Sequence, residues 1–159
     1  MSKESKQEAR TITLDELLLR LEQLKQYMAL LETRISEASN QLTELQLSKN
    51  TLENLPEQGG DGLVVLDRLS TIFIPVKIPE EWPRKILVNI GLNYYMRTDR
   101  EKANDILVKR INSVRRTIQV LQKQYATLST EYNALQQVLA QIYVQAQQAQ
   151  RQTSMPGGS

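Results

Sequence analysis

The length, composition and charge of this chain leave little material for a thick globular core. Of its 159 residues, 40% are hydrophobic and only 5% are aromatic. The 20 Lys and Arg residues are interspersed with 18 Asp and Glu residues, which gives a formal charge of +2 without a basic run. The electrostatic pattern of a nucleic-acid-binding protein is absent, so we expect no nucleic-acid partner.

Missing residue types exclude most catalytic chemistry. The sequence has no cysteine and no histidine, so it lacks thiolate nucleophiles, the usual zinc ligands and the side chain that most often carries protons near neutral pH. No stretch approaches the roughly 18 consecutive apolar residues of a membrane span, and the N-terminus has no apolar signal segment. We expect a soluble, cytoplasmic protein that is not an enzyme, binds no cofactor or metal and has no membrane partner.

The first third of the chain has the pattern of a coiled-coil helix. Its apolar residues recur at alternating spacings of three and four: Leu14, Leu17, Leu21, Leu24, Met28, Leu31, Ile35, Ala38, Leu42, Leu45 and, after Lys49, Leu52. No proline or glycine interrupts this seam, which predicts a helix over about 13–55. Thr13 followed by Glu16 predicts a capping box at its start.

The last third repeats the pattern. The second seam comprises Leu107, Ile111, Val114, Ile118, Leu121, Tyr125, Leu128, Tyr132, Leu135, Leu139 and Ile142. It predicts a helix over 99–151, with Thr98 and Glu101 as a second capping box and a flexible tail at 152–159. Because a heptad seam is buried continuously only against a partner of similar length, we expect the two helices to form an antiparallel coiled coil.

The central segment, 62–98, changes to a period of two. The alternation predicts four short strands in two β-hairpins, at 63–66, 72–77, 85–90 and 93–97, with Gly91 making the second turn or a bulge. Both faces of these strands carry apolar side chains, which a lone hairpin cannot cover. We therefore predict an α+β fold in which the hairpins of several subunits assemble into a shared β body. The residues expected to mediate assembly are Ile72, Phe73, Ile74, Val76, Ile86, Val88, Ile90, Tyr94 and Tyr95.

Two strings in the central segment resemble the α-type subunit of prefoldin. Residues 86–96, ILVNIGLNYYM, look like that family's VNVGxxYYV stretch, and Phe73-Ile74-Pro75-Val76 looks like its F-V-P segment. Room for two hairpins favours the α type, since the similar β type has one. The resemblance implies a single prefoldin-like domain over 1–159, whose hairpins form an intersubunit β-barrel with those of β-type subunits, two α-type and four β-type chains per hexamer. It also implies coiled-coil tentacles that capture unfolded client proteins without ATP and deliver them to a group II chaperonin.

The free helix ends are the predicted client-binding tip. Pairing the helices antiparallel brings the start of the first and the end of the second together, and apolar residues widen the seam there. The predicted tip residues are Leu14, Leu17, Leu18, Leu19, Val138, Ile142, Tyr143 and Val144. A plainer interpretation is that some of them only close a fraying coiled-coil end, because Leu30, Leu47 and Val120 show that apolar residues also lie off the seam elsewhere.

Two hypotheses on function remain at this point. A holding chaperone accounts for both the apolar ends and the hairpins, whereas a structural scaffold that joins fixed native partners accounts for the heptads alone. Glu80 and Glu81 are adjacent carboxylates in a proline-bounded turn, which we interpret as solvated surface rather than as an acid–base pair. Trp82 could anchor a subunit contact or pack within its own chain.

Overall fold

The computed structural model describes residues 13–153 of the chain. The predicted tail at 152–159 lies outside the described residues from position 154 onward. Two long helices flank two antiparallel β-hairpins, which confirms the predicted fold class. The elements, in chain order, are helix α1 (Leu14–Asn54), strands β1 (Gly60–Val65) and β2 (Phe73–Ile78), a short 3-10 helix (Trp82–Arg84), strands β3 (Ile86–Gly91) and β4 (Tyr94–Thr98), and helix α2 (Arg100–Thr153).

The described residues fall into two compact units. The first combines the described start of α1, up to Ser36, with the part of α2 from Gln119 onward, and the second is Glu37–Ile118. In the first unit the helices are antiparallel: Arg20 Nη2 lies 2.6 Å from Glu131 Oε1, and Tyr125 donates a hydrogen bond of 2.8 Å to Glu32. Residue numbers therefore rise along one helix as they fall along the other, as the seams predict.

Burial of the leucine seam holds the first unit together. Its buried apolar residues, Leu17, Leu21, Leu24 and Leu31, are all seam positions, and Leu24 is only 1% exposed. Burying one such side chain contributes roughly 1.5–3 kcal/mol, whereas a solvent-exposed ion pair such as Arg20 with Glu131 contributes about 0–1 kcal/mol. The seam therefore supplies the stability, and the polar pairs fix the register.

In the second unit, Trp82 ties the segment between the hairpins to both helices. Its indole N–H donates to the carbonyl oxygen of Pro56 at 2.8 Å, and the ring is 9% exposed. The guanidinium of Arg100 lies 5.7 Å from the ring centroid and donates to the carbonyl oxygen of Glu53 at 2.6 Å. Of the two possibilities for Trp82, the structure shows packing within its own chain.

The turn into the first hairpin depends on Gly59. It has a φ of +72°, and a Cβ there would lie 2.1 Å from the carbonyl oxygen of Ile78, so only glycine fits. This close approach lets β1 pair with β2 from Gly60↔Ile78 onward. Strand β1 consequently begins at Gly60, earlier than the predicted 63, because the turn at Gly59 brings the backbone directly beside Ile78.

Asp67 organises the loop that closes the first hairpin. Its carboxylate accepts hydrogen bonds from the backbone N–H groups of Leu69, Thr71 and Ile72, at 2.8–3.2 Å. The Thr71 N–H, followed by those of Ile72 and Leu69, holds the pKa of Asp67 below its ordinary value of 3.8, against an opposing effect of desolvation. One ionised side chain thus satisfies three backbone donors of the loop.

In the second hairpin, Gly91 forms a bulge rather than the turn itself. The strand register shifts between Asn89 and Gly91, which has a φ of +113°. The turn follows at Leu92 and Asn93, both with positive φ, which is the conformation of the tight turns that suit hairpins. The carbonyl oxygen of Asn89 in β3 accepts a hydrogen bond from Arg110 on α2.

The helix starts show one predicted cap and one different from the prediction. Thr13 and Glu16 form the predicted reciprocal pair, with hydrogen bonds of 2.9 and 3.2 Å. The capping box at Thr98 and Glu101 is wrong: the Asp99 carboxylate caps α2 by accepting from the Lys102 N–H at 2.8 Å. Thr98 is still paired with Ile86 as the last residue of β4, so the cap falls one residue later.

We expect substitution to be destabilising at only one of the two residues before α2. Asp99→Ala removes the cap and should lower the free energy of unfolding by about 1 kcal/mol. Thr98 is buried and its hydroxyl oxygen has no hydrogen-bond partner, so Thr98→Val should be neutral or stabilising. Urea denaturation followed by circular dichroism measures both. A larger loss for Thr98→Val than for Asp99→Ala would contradict this assignment.

The Asp67 loop should loosen in acid. Because folding lowers the pKa of Asp67, its contribution to stability is complete above pH 3.8 and is lost as pH falls from there through the folded-state pKa. We expect protection of the Thr71 and Ile72 amides from hydrogen exchange, corrected for intrinsic rates, to fall over that range. Asp67→Asn keeps one acceptor but cannot ionise, so this part of the pH dependence should disappear; its persistence would contradict the role given to the carboxylate.

Candidate functional site: exposed apolar surfaces

Exposed apolar surfaces form the candidate functional site of the described residues. Within 13–153, no group of three or more Asp, Glu, His or Cys side chains is placed to hold a metal ion. Nor is any helix in that range long and apolar enough to cross a membrane. What distinguishes the surface is its large number of exposed apolar side chains, which concentrate in the hairpins and at the helix ends of the first unit.

Seven of the eight predicted tip residues present their side chains to solvent. Their exposed fractions run from 36% at Ile142 to 61% at Leu19, and the other five are Leu14, Leu18, Val138, Tyr143 and Val144. Leu17, in contrast, is 3% exposed because it occupies the seam between the helices. The available part of the tip therefore consists of the seven exposed residues.

The antiparallel register brings the two halves of this tip together. The ion pair between Arg20 and Glu131 sets the two helices side by side. Residues that precede Arg20 in α1 therefore lie opposite residues that follow Glu131 in α2. Leu14 and Leu18 consequently lie at the same end of the first unit as Val138 and Ile142.

The hairpins carry the second exposed apolar surface. The strand register places Ile74 and Val76 on one face of the first hairpin, opposite Val64 and Gly62, and turns Phe73 to the other face. Six of the predicted assembly residues are exposed by 43–68%: Ile72, Phe73, Ile74, Ile90, Tyr94 and Tyr95. The remaining three, Val76, Ile86 and Val88, are half-buried. Apolar residues on both faces of two-stranded sheets are typical of a surface that another chain covers.

Sequence reasoning overlooked several exposed apolar residues. Leu69 and Leu92 lie in the two hairpin turns with 88% and 92% of their surface exposed, and Tyr27 on α1 is 60% exposed. A leucine in a turn that otherwise favours small or polar residues was the available signal for the first two. Tyr27 lies beside the seam rather than on it, and the heptad pattern alone does not draw attention to such a position.

Two helices paired through a leucine seam, followed in the same chain by hairpins with exposed apolar residues, define a coiled-coil protein with an open β surface. Comparison with known proteins identifies the family. The model described as prefoldin subunit matches residues 24–145, most of the chain. The chain belongs to the prefoldin subunit family, and membership implies a chaperone role rather than an enzymatic one.

Similar proteins agree with the α-type resemblance. The chain is 32% identical to the prefoldin subunit alpha of Hyperthermus butylicus, covering 84% of this chain and 85% of that one. It is 28% identical to the alpha subunit of Saccharolobus solfataricus, over 88% and 94% of the two chains, and 28% identical to that of Aeropyrum pernix, over 88% and 95%. A chain in the filamentous prefoldin of Methanocaldococcus jannaschii matches with a TM-score of 0.42 at 20% identity, over 77% of this chain and 93% of that one. The predicted resemblance to prefoldin α subunits is confirmed.

Proposed function

We propose that this chain is a subunit of an ATP-independent holding chaperone, which captures unfolded proteins at its helix ends and passes them to a group II chaperonin in the cytoplasm. The observation that carries the proposal is the exposed tip of the first unit. Seven apolar side chains, each 36–61% exposed, lie there, and all but Leu14 and Ile142 are outside the seam. An unfolded client presents the apolar side chains that such a surface can cover.

The mechanism is weak apolar contact repeated over several subunits. Covering a half-exposed leucine, valine or tyrosine contributes on the order of 1 kcal/mol. Seven such residues give several kcal/mol, from which the ordering of client and side chains must be subtracted, so one tip binds weakly. Several tips acting on one client raise the affinity through effective concentration, without selecting a particular sequence. This capture requires no catalytic residue and no cofactor.

Assembly supplies the several tips. We infer that the two hairpins join those of β-type prefoldin subunits in a shared β-barrel, with two α-type and four β-type chains in the hexamer and the whole chain acting as one prefoldin-like domain. The support is the exposure of apolar residues on both hairpins. An isolated two-stranded hairpin is only marginally stable in water, so we infer that other chains cover these residues. The scaffold hypothesis also requires assembly but gives the exposed tip no role.

Replacing the tip side chains should abolish capture and leave assembly intact. We expect Leu18→Ser, Val138→Ser and Tyr143→Ser together to weaken suppression of the aggregation of a denatured model protein at least tenfold, because roughly 1 kcal/mol is lost at each position on every tip that carries the change. The measurement uses the chain mixed with a β-type prefoldin subunit and no ATP. Leu47→Ser is the matched control, since Leu47 is 60% exposed on α1 and is not a tip residue.

Two results would count against the tip assignment. If the triple variant no longer assembled, the three residues would belong to the subunit contacts instead. If it suppressed aggregation as well as the Leu47→Ser control, clients would bind elsewhere. Binding to one native protein, with no preference for its unfolded form, would favour the scaffold.

Charges placed on the hairpins should prevent assembly. Ile74→Lys together with Val88→Lys puts a lysine on each hairpin at a position that we propose to be covered by another subunit, where an unpaired charge is costly. Sedimentation velocity of the mixture with β-type subunits should then show only small species. Asp61→Lys changes a strand position that is already charged and should assemble normally. An unchanged sedimentation coefficient for the double variant would contradict the shared barrel.

A further inference from the structure

A groove between the helices of the first unit is separate from the tip residues. It has a volume of about 720 Å³. Leu31 and Leu128, both seam residues, form its floor, while Tyr27 and Leu30 line it from α1 and Val120 from α2. The lining positions on each helix recur at intervals of three or four residues, so each helix contributes one continuous face.

The apolar residues of the groove walls are not needed for pairing the helices. Leu31 on the floor is 8% exposed, as expected of the seam, whereas Tyr27, Leu30 and Val120 are 60%, 46% and 56% exposed. All three lie beside the seam. Together they form an apolar surface that the chain leaves open to solvent.

The polar residues of the groove give it a positive charge. Arg34 and Lys123 line it, and no carboxylate does. Within the described part of the chain neither cation has an ion-pair partner. Two carboxylates on neighbouring turns have other partners, since Glu131 accepts from Arg20 and Glu32 accepts from Tyr125. The groove therefore combines an apolar lining with two positive side chains and no carboxylate.

The antiparallel register gives the groove a direction and a length. Arg34 lies at the same end as Lys123 and Val120, while Tyr27 and Leu128 lie at the other end. Its wall on α1 runs from Tyr27 to Arg34, which corresponds to about 10 Å or two helical turns. A ligand of matching chemistry is a short helix with apolar side chains at i, i+3 or i+4, and i+7, and with carboxylates at one end.

We propose that this groove binds an acidic amphipathic helix of a partner protein. The apolar face of that helix covers Tyr27, Leu30 and Val120, and its carboxylates pair with Arg34 and Lys123. Charge complementarity distinguishes this site from the tip, whose seven exposed residues are all apolar. The proposal does not depend on capture of unfolded clients, because none of its residues belongs to the tip.

The direct test is fluorescence anisotropy with two labelled helical peptides of roughly three turns. Both carry leucines at i, i+3, i+4 and i+7; the other positions hold glutamate and alanine in one peptide, and lysine and alanine in the other. We expect the full chain, assembled with its β-type partner, to bind the glutamate peptide at least tenfold more tightly than the lysine peptide, with affinity that falls as salt is added. No binding of the glutamate peptide, or equal binding of the two, would overturn the proposal.

Substitutions assign the binding to the groove. Arg34→Glu with Lys123→Glu should reverse the preference, so that the lysine peptide binds more tightly; the gain also shows that the variant is folded. Lys25→Glu with Lys109→Glu makes the same charge change outside the groove and should leave the preference unaltered. Reversal by this second pair would mean that net charge, not the groove, selects the peptide.

A matched set of apolar changes separates groove from tip. Tyr27→Ser, Leu30→Ser and Val120→Ser together should weaken glutamate-peptide binding at least tenfold. The tip variant with serine at Leu18, Val138 and Tyr143 removes the same three residue types, and it should bind the peptide like the unmodified chain. Loss of peptide binding in the tip variant, with retention in the groove variant, would place the peptide at the tip and overturn the proposal. Loss of client capture in the tip variant alone bears only on the holding function.

Discussion

Each helix carries one narrow apolar stripe that only another helix of similar length can cover, and the rest of the molecule is arranged around this requirement. In the first unit, Leu17, Leu21, Leu24 and Leu31 meet it by packing against α2, with polar pairs such as Arg20 with Glu131 setting the register. Because a two-helix seam covers only the stripe, any apolar residue beside it stays in contact with water. Most of the exposed tip, and the apolar walls of the groove, consist of such residues.

The hairpins pose the opposite problem, because the chain cannot cover them by itself. Trp82, through its hydrogen bond to Pro56 and its stacking with Arg100, connects the segment between them to the helices. Other hairpin residues, among them Ile74, Phe73 and Tyr94, remain exposed. In a monomer this surface would be an aggregation hazard, whereas in an assembly it supplies the binding energy. Membership of the prefoldin family is consistent with an assembly, and we propose that the hairpins form a β-barrel in it.

The sequence predicted the elements well and their ends less well, for physical reasons. Seam periodicity and the lack of proline and glycine set the helices, and the change to a period of two set the strands. Gly60 joined β1 although glycine usually marks a loop, because backbone pairing with Ile78 does not need a side chain. The cap of α2 moved from Thr98 to Asp99 because pairing in β4 engages Thr98, a tertiary effect invisible to local spacing.

For the functional surfaces, the sequence identified where apolar residues occur in addition to those of the seam. It could not identify which of these side chains are exposed to solvent. Leu17 and Leu18 are neighbours in the predicted tip, yet the first is buried and the second is 41% exposed. Predicting the groove requires knowledge of the register between the helices, because this register brings Tyr27 and Leu30 of α1 beside Val120 of α2. Positions far apart in the chain contribute to it, so no single window of sequence contains the pattern.

The central claim, that this chain holds unfolded proteins as part of a mixed prefoldin assembly, is tested most directly by one paired measurement. The mass of the chain is determined alone and after mixing with a β-type prefoldin subunit, and the mixture is then assayed for suppression of the aggregation of a denatured protein without ATP. The account predicts a mixed hexamer that suppresses aggregation. A chain that stays the same size in the mixture and has no effect on aggregation would contradict it.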